Sequence, residues 1–215
     1  MVVCHFKKTF YFNDMQYSPG NLLHVYNRGN NKQQIFFNEN NYRLFTGMVV
    51  KHINPYSDIL AYCLMPNHFH FLLHVNENSC KPKKIGSLES TELNNGFRML
   101  QSSYAKAINK QYNRTGSIFQ QNTKFKLLNK TQGEYAYQAT YAEVCFHYIH
   151  QNPLKAGLVT KMEEWNFSSF REYMSTGTTG LCKRHLAFQL FDIKPGQFYD
   201  ISHSVLKPEL LEKIF

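Results

Sequence analysis

The spacing of hydrophobic residues along the chain predicts an alternation of strands and helices. Short apolar or alternating runs indicate strands, and apolar residues three and four positions apart indicate helices. The predicted segments are strand 22–28, helix 38–52, strand 57–64, strand 68–75, helix 87–109, one or two short strands between 118 and 128, and helix 138–152. The polar, basic segment 76–84 is predicted to be a loop. Pro153 is predicted to end the last helix, because proline cannot continue helical hydrogen bonding.

This order of elements predicts the α+β class, with a ferredoxin-like (split βαβ) antiparallel sheet and helices on one face. The sequence contains no internal repeat and no low-complexity tract. We predict one domain over residues 1–175. Residues 176–215 are interrupted by Pro195, Gly196 and Pro208, and we interpret them as a C-terminal extension packed on or beside the core.

Composition and charge narrow the class of protein. Hydrophobic residues make up 43% of the chain and charged residues 18%, which is typical of a globular protein rather than a disordered one. The formal net charge at pH 7 is +9. An excess of this size favours a polyanionic partner, and nucleic acid is the usual one. A basic surface that is merely solvated is the alternative.

The cysteines and the apolar runs indicate the compartment. The chain has five cysteines, which is an odd number, and no two of them have C-x-x-C spacing. Both features argue against a disulfide framework or a zinc ribbon. They are Cys4, Cys63, Cys80, Cys145 and Cys182. The first eight residues lack the apolar core of a signal peptide, and no apolar run reaches the roughly 20 residues that span a bilayer. We therefore expect a cytoplasmic, nucleoid-associated protein.

Two histidines on one predicted strand form the first candidate site. Alternate side chains of a strand share a face, so His68 and His70 point the same way, with their Cα atoms roughly 6.5 Å apart and Phe69 on the opposite face. Two imidazoles at this spacing can chelate one divalent cation. A chain with 10 histidines also contains such pairs by chance. A structural pair is therefore the alternative.

The last predicted helix carries the second candidate site. Tyr148 and Asn152 are four positions apart and so lie on one helix face. An amide oxygen is a hard ligand for Mg²⁺ or Mn²⁺, and a neighbouring phenol can reach a phosphate that the same ion polarises. A core tyrosine and an asparagine that caps the helix before Pro153 are the alternative interpretation.

A long basic stretch is the candidate DNA-binding surface. Between Leu93 and Gly133 there are seven cationic side chains and no acidic one: Arg98, Lys106, Lys110, Arg114, Lys124, Lys126 and Lys130. We expect them, with Arg28 at the end of the first strand, to follow the phosphate backbone. The interleaved rings of Tyr104, Tyr112 and Phe119 are candidates for stacking on unpaired bases. A solvated basic helix with its aromatic residues in the core is the alternative.

Six sequence stretches resemble, in content and order, those of single-tyrosine HUH transposases, and they are most similar to the branch of REP-associated tyrosine transposases. They are Asn27-Arg-Gly29, Met65-Pro-Asn-His-Phe-His70, Gly116-Ser-Ile-Phe-Gln120, Tyr148-Ile-His-Gln-Asn-Pro153, Ala156-Gly-Leu158 and Trp165-Asn-Phe-Ser-Ser-Phe-Arg171. The resemblance spans residues 20 to 175, and six separated motifs in the correct order make it specific.

The resemblance implies a role for each candidate residue. His68 and His70 would be the histidines of the HUH motif and Tyr148 the nucleophile. Asn152 would be the third metal ligand, because the family places an Asn or Gln four residues after the tyrosine. Gln151, at the neighbouring position, competes for this role, but only Asn152 has the family's spacing.

The resemblance also implies an activity. The protein would be a DNA transposase or nickase that cuts and rejoins single strands of hairpin or palindromic DNA through a 5′-phosphotyrosine, with Mg²⁺ or Mn²⁺ as cofactor. The resemblance does not decide between a monomer and a homodimer, because the family contains both.

Two other functions remain open. A non-catalytic, nucleic-acid-binding ferredoxin-like module would use the same sheet and basic helix, and it predicts neither a metal requirement nor a covalent adduct. A zinc hydrolase built on the histidine pair is less well supported, since the sequence lacks an H-E-x-x-H helix and a convincing carboxylate.

Overall fold

The chain folds around one antiparallel sheet that is covered by helices. The computed structural model describes residues 17–128, 135–177 and 179–204. In chain order the elements are β1 (Leu22–Arg28), α1 (Glu39–His52), β2 (Asp58–Met65), β3 (His68–His74), β4 (Pro82–Ile85), β5 (Leu88–Thr91), α2 (Glu92–Gln111), β6 (Lys124–Leu127), α3 (Tyr135–Lys155), α4 (Phe170–Met174), α5 (Arg184–Leu190) and α6 (Phe198–His203).

The sheet has the strand order β2-β3-β1-β6. Each adjacent pair is antiparallel. The unit β1-α1-β2 is a split βαβ, because β3 inserts between its two strands, and β6 pairs with the other side of β1. The predicted α+β class and ferredoxin-like antiparallel sheet are confirmed.

The helices lie on both faces of the sheet rather than on the one face that was expected. Helices α1 and α2 pack on one face, and α3 packs across β2 and β3 on the other, followed by α4 to α6. The reason is visible in β2, where every residue from Ile59 to Met65 is buried. A strand that is apolar on both faces needs cover on both.

The face covered by α1 and α2 is a dense aromatic core. The Phe45 ring lies 5.4 Å from the ring of Phe69 and 5.0 Å from that of Tyr104. Helix α1 also approaches α2 closely at Gly96, where an added Cβ would lie 2.2 Å from the carbonyl oxygen of His52. Only glycine permits this approach, so the helix pair is set by backbone contact as well as by side chains.

Two predictions fail at the start of α2. The segment 76–84 is not simply a loop, since its last residues form β4, which pairs with β5 in a separate hairpin through Gly86 at φ 61°. The helix predicted from residue 87 begins at Glu92, where the Thr91 side chain accepts a hydrogen bond from Asn94 N. The hairpin is largely exposed and polar, so it lacks the apolar alternation by which strands are predicted.

Pro153 does not end the third helix, which continues to Lys155. The proline lies in the last turn, so its missing N–H removes only one hydrogen bond of the helix. The helix then closes as a Schellman motif: Leu158 N donates to Pro153 O at 3.0 Å and Gly157, at φ 67°, donates to Leu154 O at 3.0 Å.

The described residues after 175 pack against α3. The Phe146 ring lies 5.1 Å from that of Phe191 and 5.9 Å from that of Phe198. In the described parts of the chain, no helix combines the length and the apolar composition that crossing a membrane requires. Cys63, Cys145 and Cys182 are free thiols. Cys4 lies outside the described residues.

Candidate active site

The paired histidines lie at the start of β3 and share one face of the sheet. His68 follows the two-residue turn between β2 and β3. Its ring lies 5.0 Å from that of His70, centroid to centroid, at an angle of 87°. Phe69, between them, is fully buried in the core beneath α1 and α2. The alternation of the strand therefore places both imidazoles on the α3 side.

Backbone contacts hold the turn that precedes His68. Gly29 N donates to Asn67 O at 2.8 Å. A side chain at Gly29 is excluded, since a Cβ would lie 2.2 Å from the carbonyl oxygen of Gln33. Asn67 Oδ1 in turn lies 2.6 Å from His68 Nδ1. These contacts fix the orientation of the His68 ring.

Helix α3 brings Tyr148 and Asn152 to the same place. The Tyr148 ring lies 6.1 Å from that of His70, edge-on at 89°. Tyr148 Oη donates a hydrogen bond to Asn152 Oδ1 at 3.4 Å, one helical turn further on. The Asn152 side chain also neighbours His68, closely enough to act on the pKa of that imidazole. The two candidate pairs, far apart in sequence, thus form one cluster within a single chain.

A third histidine, His24 of β1, joins this cluster. It lies on the same sheet face as His70, two positions before Tyr26, which pairs with His70 in the ladder. His24 Nε2 is 2.9 Å from His70 Nδ1. The two rings are stacked, with centroids 5.1 Å apart. His24 is 0% exposed, so it is part of the floor of the site.

Burial keeps these histidines neutral. It lowers the pKa of His70 well below the usual value, and it lowers the pKa of His24 to about 3, with a smaller contribution from the nearby Lys126 ammonium. Burial also lowers the pKa of His68, although the neighbouring Asn152 side chain acts in the opposite direction. A neutral imidazole keeps a lone pair that can bind a cation.

The Tyr148 phenol is held in its protonated form. Burial raises the pKa of Tyr148 to about 12, and the hydrogen bond with Asn152 offsets part of this effect. Lys155, two helical turns on, places its Nζ 5.1 Å from the centre of the Tyr148 ring. A cation near the phenol favours the phenolate. The phenol therefore stays protonated at neutral pH unless further positive charge approaches it.

Three of the predicted DNA-binding residues lie on the site's face of the sheet. Arg28 is paired with His68, and Lys124 is paired with Tyr26. Lys126 lies two positions further along the same face of β6. Directly paired residues share a face, so these three cations and the histidines face the same side. Arg28 and Lys124 are exposed.

The other predicted DNA-binding residues lie elsewhere. Arg98, Lys106 and Lys110 are on α2, which covers the opposite face of the sheet. Arg114 follows α2, donates to Gln33 Oε1 at 3.0 Å and lies over the Phe37 ring. Lys130 lies outside the described residues. The basic stretch that is continuous in sequence is thus divided between two sides of the molecule.

Two of the three aromatic residues proposed for base stacking are buried. Tyr104 is 0% and Phe119 4% exposed, and both belong to the core beneath α1 and α2. Tyr112 is half-buried, and its hydroxyl is engaged by Asn38 and Asn41. The expectation is wrong for Tyr104 and Phe119, because their position among basic residues in the sequence does not show which rings point inward.

The neighbouring polar residues on α3 point away from the cluster. Gln151 donates to Ser202 O at 2.8 Å, next to α6. His150 is buried, with Nε2 2.8 Å from Ser169 Oγ. Of the two adjacent amides that the sequence left in competition, Asn152 is therefore the one beside Tyr148. His74, on the histidines' strand, pairs instead with Asp58 at 3.2 Å.

Sequence reasoning missed His24 and Lys155. His24 alternates with Tyr26 and Arg28 along β1, a pattern that predicts a shared face, but the partner strand and its register are not readable from the pattern. Lys155 lies seven positions after Tyr148, which is a shared helix face only if the helix continues through Pro153. Because the helix was predicted to end at Pro153, Lys155 was not assigned to the helix face of Tyr148.

The donor atoms of the cluster fit a divalent cation. His68 and His70 offer neutral imidazoles and Asn152 an amide oxygen, a mixed nitrogen and oxygen set that suits Mn²⁺ better than Mg²⁺, since Mg²⁺ prefers oxygen ligands alone. Among the residues that the structure describes, no three His, Cys, Asp or Glu side chains form a metal-binding group. The third donor would therefore be an uncharged amide.

Comparisons with known proteins give a match in structure only. No protein-family model matches the sequence. No curated protein matches it. Among solved structures, the chain is similar to a REP-associated tyrosine transposase bound to a REP hairpin, with a TM-score of 0.53 and 18% sequence identity over 82% of this chain and 90% of that one. At this identity the likeness concerns the fold, and the chain has the fold that its motifs implied.

Proposed function

We propose that the chain is a DNA nickase and strand transferase of the single-tyrosine type, acting on single-stranded or hairpin DNA. The observation that carries the proposal is the convergence of Tyr148 and Asn152 of α3 with His68 and His70 of β3. A nucleophile, three ligand side chains and a neighbouring cation in one cluster are the parts that phosphoryl transfer requires.

The reaction exchanges one phosphodiester for another. Tyr148 Oη forms a bond to the scissile phosphorus while the bond from phosphorus to the 3′ oxygen breaks. The proton lost by the phenol balances the one gained by the departing 3′-OH. The product is a 5′-phosphotyrosine, which keeps the energy of the original ester. A 3′-OH can therefore attack it in return and join strands without ATP.

The chain's own residues prepare this attack. Asn152 holds the phenol through the hydrogen bond from Tyr148 Oη. Lys155, beside the ring, stabilises the phenolate and the phosphate that approaches it. His68, His70 and Asn152 would hold a divalent cation, Mn²⁺ or Mg²⁺. When bound, such an ion would supply Lewis-acid chemistry for a phosphate oxygen and for charge in the transition state.

A DNA substrate is supported by charge and by structural likeness. Arg28, Lys124 and Lys126 share the sheet face of the site, where they would neutralise phosphates next to the scissile one. The structural neighbour is bound to a hairpin. We propose the same class of ligand for this chain, with the strand to be cut lying across the sheet face beneath α3.

A covalent adduct tests the proposal. The protein is incubated with 3′-labelled hairpin oligonucleotides whose single-stranded flanks are randomised, with Mn²⁺ or with EDTA, and resolved on a denaturing gel. We expect a labelled protein band that requires Mn²⁺ and is absent from Tyr148→Phe. Tyr199→Phe, at an exposed tyrosine of α6, is the matched control and keeps the band.

The same gel separates the enzyme from a non-catalytic module. Native gels run in parallel report binding of the same oligonucleotides. Binding without any adduct, in every metal condition, would favour the module. An adduct that survives in Tyr148→Phe would show that another residue is the nucleophile.

A further inference from the structure

His24 and His70 form a hydrogen-bonded pair of buried imidazoles. His24 Nε2 lies 2.9 Å from His70 Nδ1. Neither ring is open to solvent, since His24 is 0% and His70 3% exposed. His24 Nδ1 has no hydrogen-bond partner among the described residues. The pairing of β1 with β3 places the two residues on the same face of the sheet, on neighbouring strands.

Only one proton lies between the two facing nitrogens. A neutral imidazole carries a proton on one nitrogen and a lone pair on the other. If His24 donates from Nε2, His70 has its proton on Nε2 and cannot offer that nitrogen to a cation. If His70 donates from Nδ1, His24 accepts at Nε2 and His70 presents the lone pair of Nε2. The two tautomers of one pair thus differ in metal competence.

We propose that His24 is a positioning residue for metal binding, which accepts the Nδ1–H of His70 and so presents Nε2 of His70 as a ligand. The inference rests on the proposed function, because it assigns the supporting partner of one proposed ligand. In metal sites the second nitrogen of a ligating histidine is commonly held by a carboxylate, a carbonyl or water. Here the neutral ring of His24 would take the position of that carboxylate, carbonyl or water.

The surroundings of His24 limit what can take its place when the ring is removed. The Tyr26 ring lies 4.7 Å from that of His24, and Lys126 is its paired residue on β6. His24 itself is sealed from water, so nothing small replaces its acceptor when the ring is removed. Replacement by an apolar side chain removes the acceptor from Nδ1 of His70, and with it the contact that selects the Nδ1–H tautomer.

The test measures Mn²⁺ binding without DNA and without turnover. The full chain is titrated with Mn²⁺ alone, and free Mn²⁺ is followed by its electron paramagnetic resonance signal. We expect His24→Phe to weaken Mn²⁺ binding roughly 10- to 100-fold, the usual effect of losing such a partner. His24→Gln, whose amide oxygen reaches the position of Nε2, is expected to restore affinity to within about threefold of the original.

Two further variants separate positioning from folding. His24→Asn carries the same amide one methylene shorter and is expected to bind Mn²⁺ as weakly as His24→Phe. His74→Gln, at a histidine of the same strand outside the cluster, is the control and keeps full affinity. If His24→Phe does not fold, the Mn²⁺ affinities of His24→Gln and His24→Asn still test the inference. Equal affinity of those two variants would overturn the inference.

The outcomes distinguish this inference from the proposed function. If Mn²⁺ binding by the unaltered chain survives His68→Ala and His70→Ala together, the proposed site itself fails. If that double variant loses binding while His24→Phe keeps it, the site stands and the role of His24 is refuted. Nitrogen-15 NMR of the histidine rings gives a direct reading, with the Nδ1–H tautomer expected for His70.

Discussion

The two faces of the sheet use the same strands for different purposes. Beneath α1 and α2, β3 contributes Phe69, Phe71 and Leu73 to a closed, largely aromatic core. Beneath α3, the alternate residues of that strand are His68 and His70, which meet a third histidine, a phenol and an amide. All buried histidines in the described residues lie on the α3 side: His24, His70, His147 and His150.

This difference shows how one strand separates stability from chemistry. A single step along β3 exchanges a fully buried aromatic ring for a candidate ligand. The aromatic face needs no polar partner and contributes mostly hydrophobic stabilisation. The α3 face keeps polar groups buried and neutral, which costs stability and leaves imidazole lone pairs that could bind a cation.

Adjacent substitutions in β3 test the comparison at its strongest point. We expect Phe69→Ala to lower the free energy of unfolding by about 3–5 kcal/mol, because it removes a ring that packs on Phe45, Phe97 and Phe119. Urea unfolding measures this loss. His70→Ala is expected to cost less stability but to reduce the rate of adduct formation at least about 100-fold, because a ligand is lost.

The opposite ranking of these two variants would contradict the division of β3 into structural and chemical positions. If His70→Ala destabilised the protein more than Phe69→Ala and left the rate of adduct formation intact, β3 would not divide structure from chemistry in this way.

Acidification is expected to lower the free energy of unfolding through the buried histidines on the α3 side of the sheet. Burial lowers the pKa of His147 in the folded protein to about 4, against an ordinary value of 6.5. Below pH 6.5 the unfolded chain binds a proton that the folded chain does not, so stability falls as pH falls. For His147 this amounts to about 2 kcal/mol between pH 6.5 and 5.

Urea unfolding at pH 7 and pH 5 measures this loss of stability. His147→Asn keeps an amide near Ser202 Oγ and is expected to lose less stability on acidification than the unaltered chain. The exposed His185→Asn serves as control and follows the unaltered chain. A stability that stays constant from pH 7 to pH 5 would contradict the neutral, buried state of these rings.

The smallest expected effect concerns the two groups of cations. Arg28 and Lys124 lie on the site's face, whereas Lys106 and Lys110 lie on α2 across the sheet. We expect Arg28→Gln with Lys124→Gln to lower the salt dependence of binding to a short single strand, by about 1.4 in the logarithmic slope. The matched pair Lys106→Gln and Lys110→Gln should leave that slope unchanged and lower it only for a hairpin with a duplex stem.

Fluorescence anisotropy over a range of salt concentrations measures these slopes. If both pairs of substitutions had an equal effect on the short strand, the single strand would contact both sides of the molecule rather than the site's face alone.

The sequence predicted the parts of the molecule that rest on local patterns. Alternation in β3 and the i, i+4 spacing in α3 were enough to predict which of these side chains share a face. The bounds of β1 and α1 followed from apolar runs and from the Asn38 cap, which accepts a hydrogen bond from Asn41 N.

What the sequence could not predict depends on tertiary contacts. The second layer of helices, the His24 contact and the separation of α2 from the site all follow from strand order and register, which no local pattern encodes. Motif residues also proved to have structural roles. Asn27 donates to Gln101 Oε1 at 2.6 Å, and Trp165 Nε1 donates to Leu64 O at 3.0 Å. Both tie helices or loops to the sheet.

The most direct measurement locates the covalent bond itself. After reaction with a hairpin oligonucleotide and Mn²⁺, the adduct is digested with nuclease and protease, and mass spectrometry identifies the residue that carries the nucleotide 5′-phosphate. We predict that this residue is Tyr148. Attachment at any other residue, or a nicked strand released with no protein-bound phosphate, would contradict the nucleophilic role of the α3 phenol.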